Sequence, residues 1–157
     1  SRLGTDAYQL DIALDQRPAA GRKVEVAAYR YSGFSWRGSA AWNKDNSRMT
    51  TSEGHTGDQA NHQPARWVMV DGKTPAGTAT LLLLSAAAKD GGTPELLRVW
   101  DSNTHNGAPF ATFNPVVNQT LPLDAAHKQV SQRRYRLILA DRTLTPEQAE
   151  QLWRKWR

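Results

Sequence analysis

The chain of 157 residues has a one-domain length, and its 39% hydrophobic and 22% charged content excludes a disordered or fibrous polypeptide. Its longest apolar stretches, Leu81 to Leu84 and Ala86 to Ala88, fall far short of the roughly 20 residues that cross a bilayer, and the lack of Cys excludes disulfides, thiol nucleophiles and thiolate-bound metals. The net charge of +5 is confined to the C-terminal end: residues 1–127 hold twelve basic and twelve acidic side chains, residues 128–157 eight and three.

From the N-terminus, Ser1-Arg2-Leu3-Gly4-Thr5 carries neither an initiator Met nor an apolar signal core, so the start reads as processed or truncated. Tyr8, Leu10, Ile12 and Leu14 alternate with Gln9, Asp11 and Ala13, the period of a half-buried strand. A second strand runs from Val24 through Tyr29-Arg30-Tyr31 to Ser32-Gly33. Trp42 to Pro64 is nearly all polar and reads as a long binding loop or lid. Ala65 to Val70 and Thr78 to Leu84 form a hairpin that turns at Asp71-Gly72. Leu96 to Trp100 and Gln129 to Ala140 add two strands, and Asp101 to Pro115 between them reads as a second loop. The chain closes with a helix: Thr145 at the N-cap, Pro146 at the first helical position and Gln148 completing a capping box, with Ala149, Leu152, Trp153 and Trp156 on one face. Many short strands separated by Gly and Pro predict a mainly β fold: an antiparallel β-sandwich, or half of a larger one, with a single C-terminal α-helix packed on it.

The basic excess lies in Arg133-Arg134, Arg136 and the tail residues Arg154, Lys155 and Arg157. Cations at a helix C-terminus complement its negative pole, and no DNA- or RNA-reading motif accompanies them, so no nucleic-acid partner is expected. No membrane partner is expected either. Glu53 and His55 would point to one side of an extended backbone and, with His62, offer three ligand-type residues; without a metal-site spacing, no metal or other cofactor is expected. Asp101, Asn103 and His105 begin like a calcium loop, but Gly107 comes one position late and Thr112 stands where the bidentate Glu belongs.

Among the loop carboxylates Asp45, Glu53, Asp58 and Asp101, Glu53 is the acid/base candidate. Trp36-Arg37, Arg66-Trp67 and Arg98-Val99-Trp100 place aromatic faces beside guanidinium donors, a combination suited to polyhydroxylated rings. Burial in the sandwich is the competing fate of each Trp. Asn118-Gln119-Thr120 is a glycosylation sequon, meaningful only in a eukaryotic secreted protein.

Taken in order, Gly33-Phe34-Ser35-Trp36-Arg37, Thr51-Ser52-Glu53-Gly54, Ala65-Arg66-Trp67-Val68, Phe113-Asn114-Pro115, Tyr135-Arg136-Leu137 and the helix from Glu147 to Trp153 resemble the C-terminal half of the PmoA-like family of bacterial proteins. The resemblance covers residues 22–157; the His-rich Asp-His-Pro-His-His segment of that family's N-terminal half has no counterpart here. The family is named after a membrane copper protein, a label this chain does not fit, having no spanning helix and no copper ligand set. The resemblance implies a soluble β-rich protein of carbohydrate utilisation; separately, a periplasmic or extracellular setting is expected over a cytoplasmic one. It also implies a fragment or C-terminal half, with a complementary N-terminal half or second subunit as partner. Carried over by motif, Arg37, Glu53, Arg66, Trp67 and Asn114 are positions of interest; Arg98 stands where the family has a Trp-His pair.

The resulting expectation is one domain over residues 1–157 that binds or processes a sugar or glycoside, as a hydrolase or lyase if it is an enzyme. Glu53 would be catalytic, and Trp36, Arg37, His55, Arg66, Trp67, Arg98 and Asn114 would hold the substrate. The alternative is a non-catalytic structural or protein-interaction domain.

Overall fold

A computed structural model describes residues 2, 4–87, 89–127 and 130–156. Ser1 and Leu3 of the start, Ala88 of the alanine run, Lys128 and Gln129 before the last strand, and Arg157 of the cationic tail lie outside the described residues. In chain order the strands are β1 (Ala7–Gln16), β2 (Lys23–Val26), β3 (Phe34–Arg37), β4 (Ser47–Thr51), β5 (Pro64–Ala65), β6 (Trp67–Thr74), β7 (Gly77–Ser85), β8 (Glu95–Val99), β9 (Phe110–Asn114), β10 (Leu121–Asp124) and β11 (Ser131–Ala140), followed by helix α1 (Pro146–Lys155).

All the pairings are antiparallel. One sheet runs β1-β11-β7-β6-β4, a second β3-β9-β8-β5, and β10 pairs with β2 in a two-stranded ribbon. The protein is therefore a mainly β, sandwich-like fold with a C-terminal helix, as the strand periodicity and the capping signature predict.

The core lies in two layers. Between the sheets, Val68, Val70, Leu81, Leu83 and Tyr135 of the five-stranded sheet meet Leu97, Val99, Ala111 and Phe113 of the four-stranded one. On the opposite face of the five-stranded sheet, Trp67, Met69, Leu82, Leu84 and Ile138 pack against Ala149 and Trp156 of the helix region. Strands β6 and β7 are thus buried on both faces, which is why Trp67 to Val70 and Leu81 to Leu84 read as unbroken apolar runs rather than alternations. Thr145 accepts a hydrogen bond from the Gln148 amide, Gln148 answers with its side chain, and Ala149, Leu152, Trp153 and Trp156 turn toward the sheet.

Several boundaries differ from the sequence expectation. The hairpin turns at Pro75-Ala76, with Thr74 opposite Gly77, and Asp71-Gly72 belongs to the strand. Gly72 is there for packing: a Cβ on it would stand 2.1 Å from the Trp42 ring. Ala65 to Val70 is not one strand, because Arg66 interrupts it and passes the chain from the four-stranded sheet (β5) to the five-stranded sheet (β6). The expected loop from Trp42 to Pro64 contains β4 and a short 3₁₀ turn over Gly57–Ala60, and the segment from Asp101 to Pro115 contains β9. Polar composition concealed these elements: β4 is an edge strand carrying Ser, Arg and Thr, and β9 hides among Asn, Thr and Gly. Strand β1 is also an edge, so Tyr8 and Leu10, expected half-buried, are 49% and 57% exposed.

Candidate functional site

Polar side chains gather in three places, and the residues expected to form one site are not brought together in any single one of them. The first is the junction between α1 and the start of β6. Arg66 leaves the chain at the sheet crossover, and its two terminal nitrogens reach different carboxylates, Glu53 Oε1 at 2.7 Å and Glu150 Oε2 at 3.2 Å. Buried Trp67 donates its indole N–H to the same Glu150 oxygen at 2.9 Å, while Arg154 binds the other one at 2.9 Å. Ser52 Oγ donates to Glu53 at 3.1 Å and accepts the Arg66 amide at 2.8 Å. Burial pushes the Glu150 carboxyl up, but hydrogen bonds from Trp67, Arg154 and Arg66 outweigh it and hold the group below its ordinary range. The Arg66 guanidinium lies 5.5 Å from the Trp153 ring. A cleft of about 380 Å³, lined by Ser52, Arg66, Glu147, Glu150 and Arg154, opens beside this group. Its carboxylates are already bound by cations and N–H donors of the same chain, an arrangement that fastens the helix to the sheet.

The second place is the inter-sheet end of β8. Glu95, 6% exposed, is bound by Arg133, by the Tyr135 hydroxyl at 3.0 Å and by Ser85 Oγ at 2.7 Å. Burial first, then the Glu95 charge, pushes the Tyr135 hydroxyl far above its ordinary value, so it stays a neutral donor. The group joins β8 of one sheet to β7 and β11 of the other, beside a cavity of about 540 Å³ lined in part by Leu14, Gln132 and Arg134.

The third place is the outer face of the four-stranded sheet. Arg37 and Phe110 are register partners, and the Trp100 amide donates to the Phe110 carbonyl, so the three side chains share one row. Trp100 stacks on Phe110 at 4.7 Å and on His105 at 3.8 Å, with the Arg37 guanidinium 4.5 Å from its ring centroid. The chain after β2 crosses this face instead of continuing the strand. Tyr31 meets Phe110 edge-on at 5.9 Å, and Tyr29 meets Tyr31 at 6.1 Å. Arg30 and Arg98 lie 5.2 Å and 5.6 Å from the Tyr31 ring. Buried Asn114 holds the crossing by donating to the Tyr29 carbonyl at 2.8 Å, and Thr112 Oγ1 donates to the Ser32 carbonyl at 3.1 Å. Gly33 permits the close approach: its φ is +90°, and a Cβ there would lie 1.9 Å from the Phe113 oxygen. Tyr29 and Tyr31 are 60% and 38% exposed.

The expected residues are accordingly divided. Glu53, Arg66 and Trp67 come together at the helix junction; Arg37 and Arg98 come together on the outer face, with Asn114 buried beneath it as a positioning residue. Trp36 points inward, its ring 6.1 Å from Trp42 and packed on the core. His55 belongs to the β4 turn, its amide bound to Thr51 Oγ1 and its carbonyl to the Thr51 amide, away from the outer face. Among the described residues no group of three or more His, Asp or Glu gathers as a metal site, so Glu53, His55 and His62 do not converge on one. The sequence reading missed Tyr29, Arg30 and Tyr31 as a surface, taking them for a strand, and missed Glu150 and Trp153 as partners of Arg66. The alternation of Tyr with Arg just before Ser32-Gly33 was the available signal for the first; nothing local signals the second.

Residues 2–154 match the model of a family of unknown function, DUF6807, and the chain belongs to that family. No curated protein and no solved structure matches it.

Proposed function

We propose that the protein is a carbohydrate-binding domain whose saccharide ligand lies across the outer face of the four-stranded sheet. The observation that carries this reading is the continuous row of rings Tyr29, Tyr31, Phe110 and Trp100 interleaved with Arg30, Arg98 and Arg37. Tyr29 and Tyr31 are the exposed rings of the row, suited to stacking on the C–H faces of a pyranose, with buried Phe110 and half-buried Trp100 supporting them; forked guanidinium donors bind the sugar's oxygens. The sequence resemblance to proteins of carbohydrate utilisation supports the same ligand class. Binding rather than cleavage is the reading the geometry favours, because Glu53 Oε1 already accepts from Arg66 and Ser52. Its neighbour Glu150 is held ionised, whereas glycoside hydrolysis needs one carboxyl that keeps its proton.

Screening the protein against a panel of polysaccharides by affinity electrophoresis tests the proposal. Retardation in at least one gel, abolished in Tyr29→Ala/Tyr31→Ala and retained in Glu53→Gln, is the expected result. Retardation that the double variant leaves intact removes the outer face from the account.

One observation favours the second reading, a protein-interaction domain. Tyr8 of edge strand β1 pairs with Leu139, and Tyr8, Leu10 and Leu139 expose 49%, 57% and 49% of their surface on the side where Ile12, Leu14 and Leu137 enter the core. A second polypeptide adding a strand at β1 would cover that stripe, and sedimentation of the purified chain alone and with candidate partners tests it.

A further inference from the structure

We infer that the ligand of the outer face is an acidic glycan, a saccharide chain bearing carboxylate or sulfate groups; the inference rests on the carbohydrate-binding reading above and narrows it. A neutral sugar hydroxyl both donates and accepts, so a site for neutral sugars needs acceptors beside its donors. This face carries three guanidinium donors that meet no carboxylate among the described residues. Arg30, Arg37 and Arg98 form no ion pair among the described residues, as is true of Arg2, Arg22, Arg48 and Arg134, but they are gathered on one row of rings; Arg17, Arg66, Arg133, Arg136, Arg142 and Arg154 are each paired.

Two loop carboxylates beside Trp100 accept hydrogen bonds within the chain. Asp58 accepts from the Ser102 amide and hydroxyl, both at 2.9 Å, and Asp101 accepts from the Asn103 amide at 2.7 Å. Arg98 gives one N–H to the neutral Asn61 oxygen at 3.1 Å. The indole N–H of Trp100 is buried with no acceptor among the described residues.

The way the three guanidiniums are held points to the same chemistry. Each lies within 6 Å of a ring centroid, the range in which cation–π attraction orders the side chain. An arginine ordered by a ring keeps its N–H donors in the guanidinium plane, directed sideways and free to take an oxyanion in bidentate fashion. Less side-chain entropy is then lost when the anion binds. Rings for the sugar skeleton and unpaired forks for its charged substituents are the complement of a glycan with carboxylates or sulfates along it.

The test is titration calorimetry of the whole chain with polygalacturonate, a sulfated galactan, an uncharged galactan and single-stranded oligo-dT, at about 50 and about 200 mM salt. The expected result is binding to one or both acidic glycans, roughly tenfold or more tighter than to the uncharged galactan and weakened by salt. The carboxylate-bearing and sulfate-bearing arms tell the two sources of charge apart. Arg30→Gln/Arg98→Gln should lower acidic-glycan affinity roughly tenfold or more and lower affinity for the uncharged galactan by a smaller factor. Affinity for neither acidic glycan above that for the uncharged galactan, or a double variant with unaltered acidic-glycan affinity, overturns the inference while the carbohydrate reading stands. Oligo-dT bound as tightly as the acidic glycans also overturns it, in favour of a general polyanion surface. Binding to no saccharide at all overturns the carbohydrate reading itself. The salt dependence of the unaltered protein supplies a readout that needs no variant to fold.

Discussion

At the helix junction Arg66 lies 5.5 Å from the Trp153 ring with Glu53 and Glu150 on its nitrogens; on the outer face Arg37 lies 4.5 Å from the Trp100 ring with no carboxylate partner among the described residues. The residue types are the same and the consequence is opposite. Where a carboxylate is within reach, arginine and tryptophan become a fastening between elements; where none is, they remain a surface with unused donors. The pair therefore carries no functional meaning by itself, and the position of the nearest acid decides.

The largest effect should fall on the fastening side. Glu95 is buried and joins the two sheets through Arg133, Tyr135 and Ser85. Removing one member of such a buried pair leaves the other charge uncompensated, which costs about 3–5 kcal/mol. Glu95→Ala should accordingly show a much lower denaturation midpoint in urea, and a midpoint within experimental error of the parent would show that the network carries no stability.

Next comes the helix clamp. Glu150→Ala strands the Trp67 indole N–H in the core and frees Arg66, an expected loss of about 1–3 kcal/mol, with the exposed Arg154 contact contributing little. The pH dependence has a definite sign. The folded-state pKa of Glu150 is depressed, so its contribution is present above the unfolded-state value of about 4.3 and is lost as pH falls through the folded value. Thermal melts between pH 7 and pH 3 should therefore decline less steeply in Glu150→Gln than in the parent. A smaller loss, about 1 kcal/mol, is expected for Thr145→Ala, which removes the acceptor for the Gln148 amide at the start of the same helix. Circular dichroism melts that ranked the cap above the clamp would reverse this ordering of the junction.

What could be read in advance follows the same division between local and distant causes. The helix was legible because Thr145, Pro146, Gln148 and the stripe from Ala149 to Trp156 are a local code. The run of β6 and β7 was legible because burial on both faces leaves nothing polar to interrupt it. Asp71-Gly72 misled, since Gly72 answers to the Trp42 ring rather than to a turn. Glu150, one of the two acids that meet Arg66, lies 84 residues away, so no spacing rule could pair them. Tyr29 and Tyr31 read as strand because they continue the alternation of Val24, Val26 and Ala28, but the strand ends at Val26 and the chain turns at Arg30-Tyr31. Gly33 and Asn114, which make the crossing of the outer face possible, act through backbone contacts with no pattern in the sequence.

The smallest stability effect is the sharpest test of the comparison. Arg37 is exposed, makes no ion pair among the described residues and contributes a cation–π contact to Trp100. Arg37→Gln should change unfolding free energy by no more than about 0.5 kcal/mol, the range of surface substitutions. Arg66→Gln, at the other end of the comparison, loses two carboxylate contacts and should cost more. The two variants should exchange rank when affinity for a glycan is measured, Arg37→Gln weakening it and Arg66→Gln leaving it near the parent value. If Arg37→Gln proves the more destabilising and leaves affinity untouched, the outer face is scaffold too, and the distinction drawn from the nearest carboxylate fails.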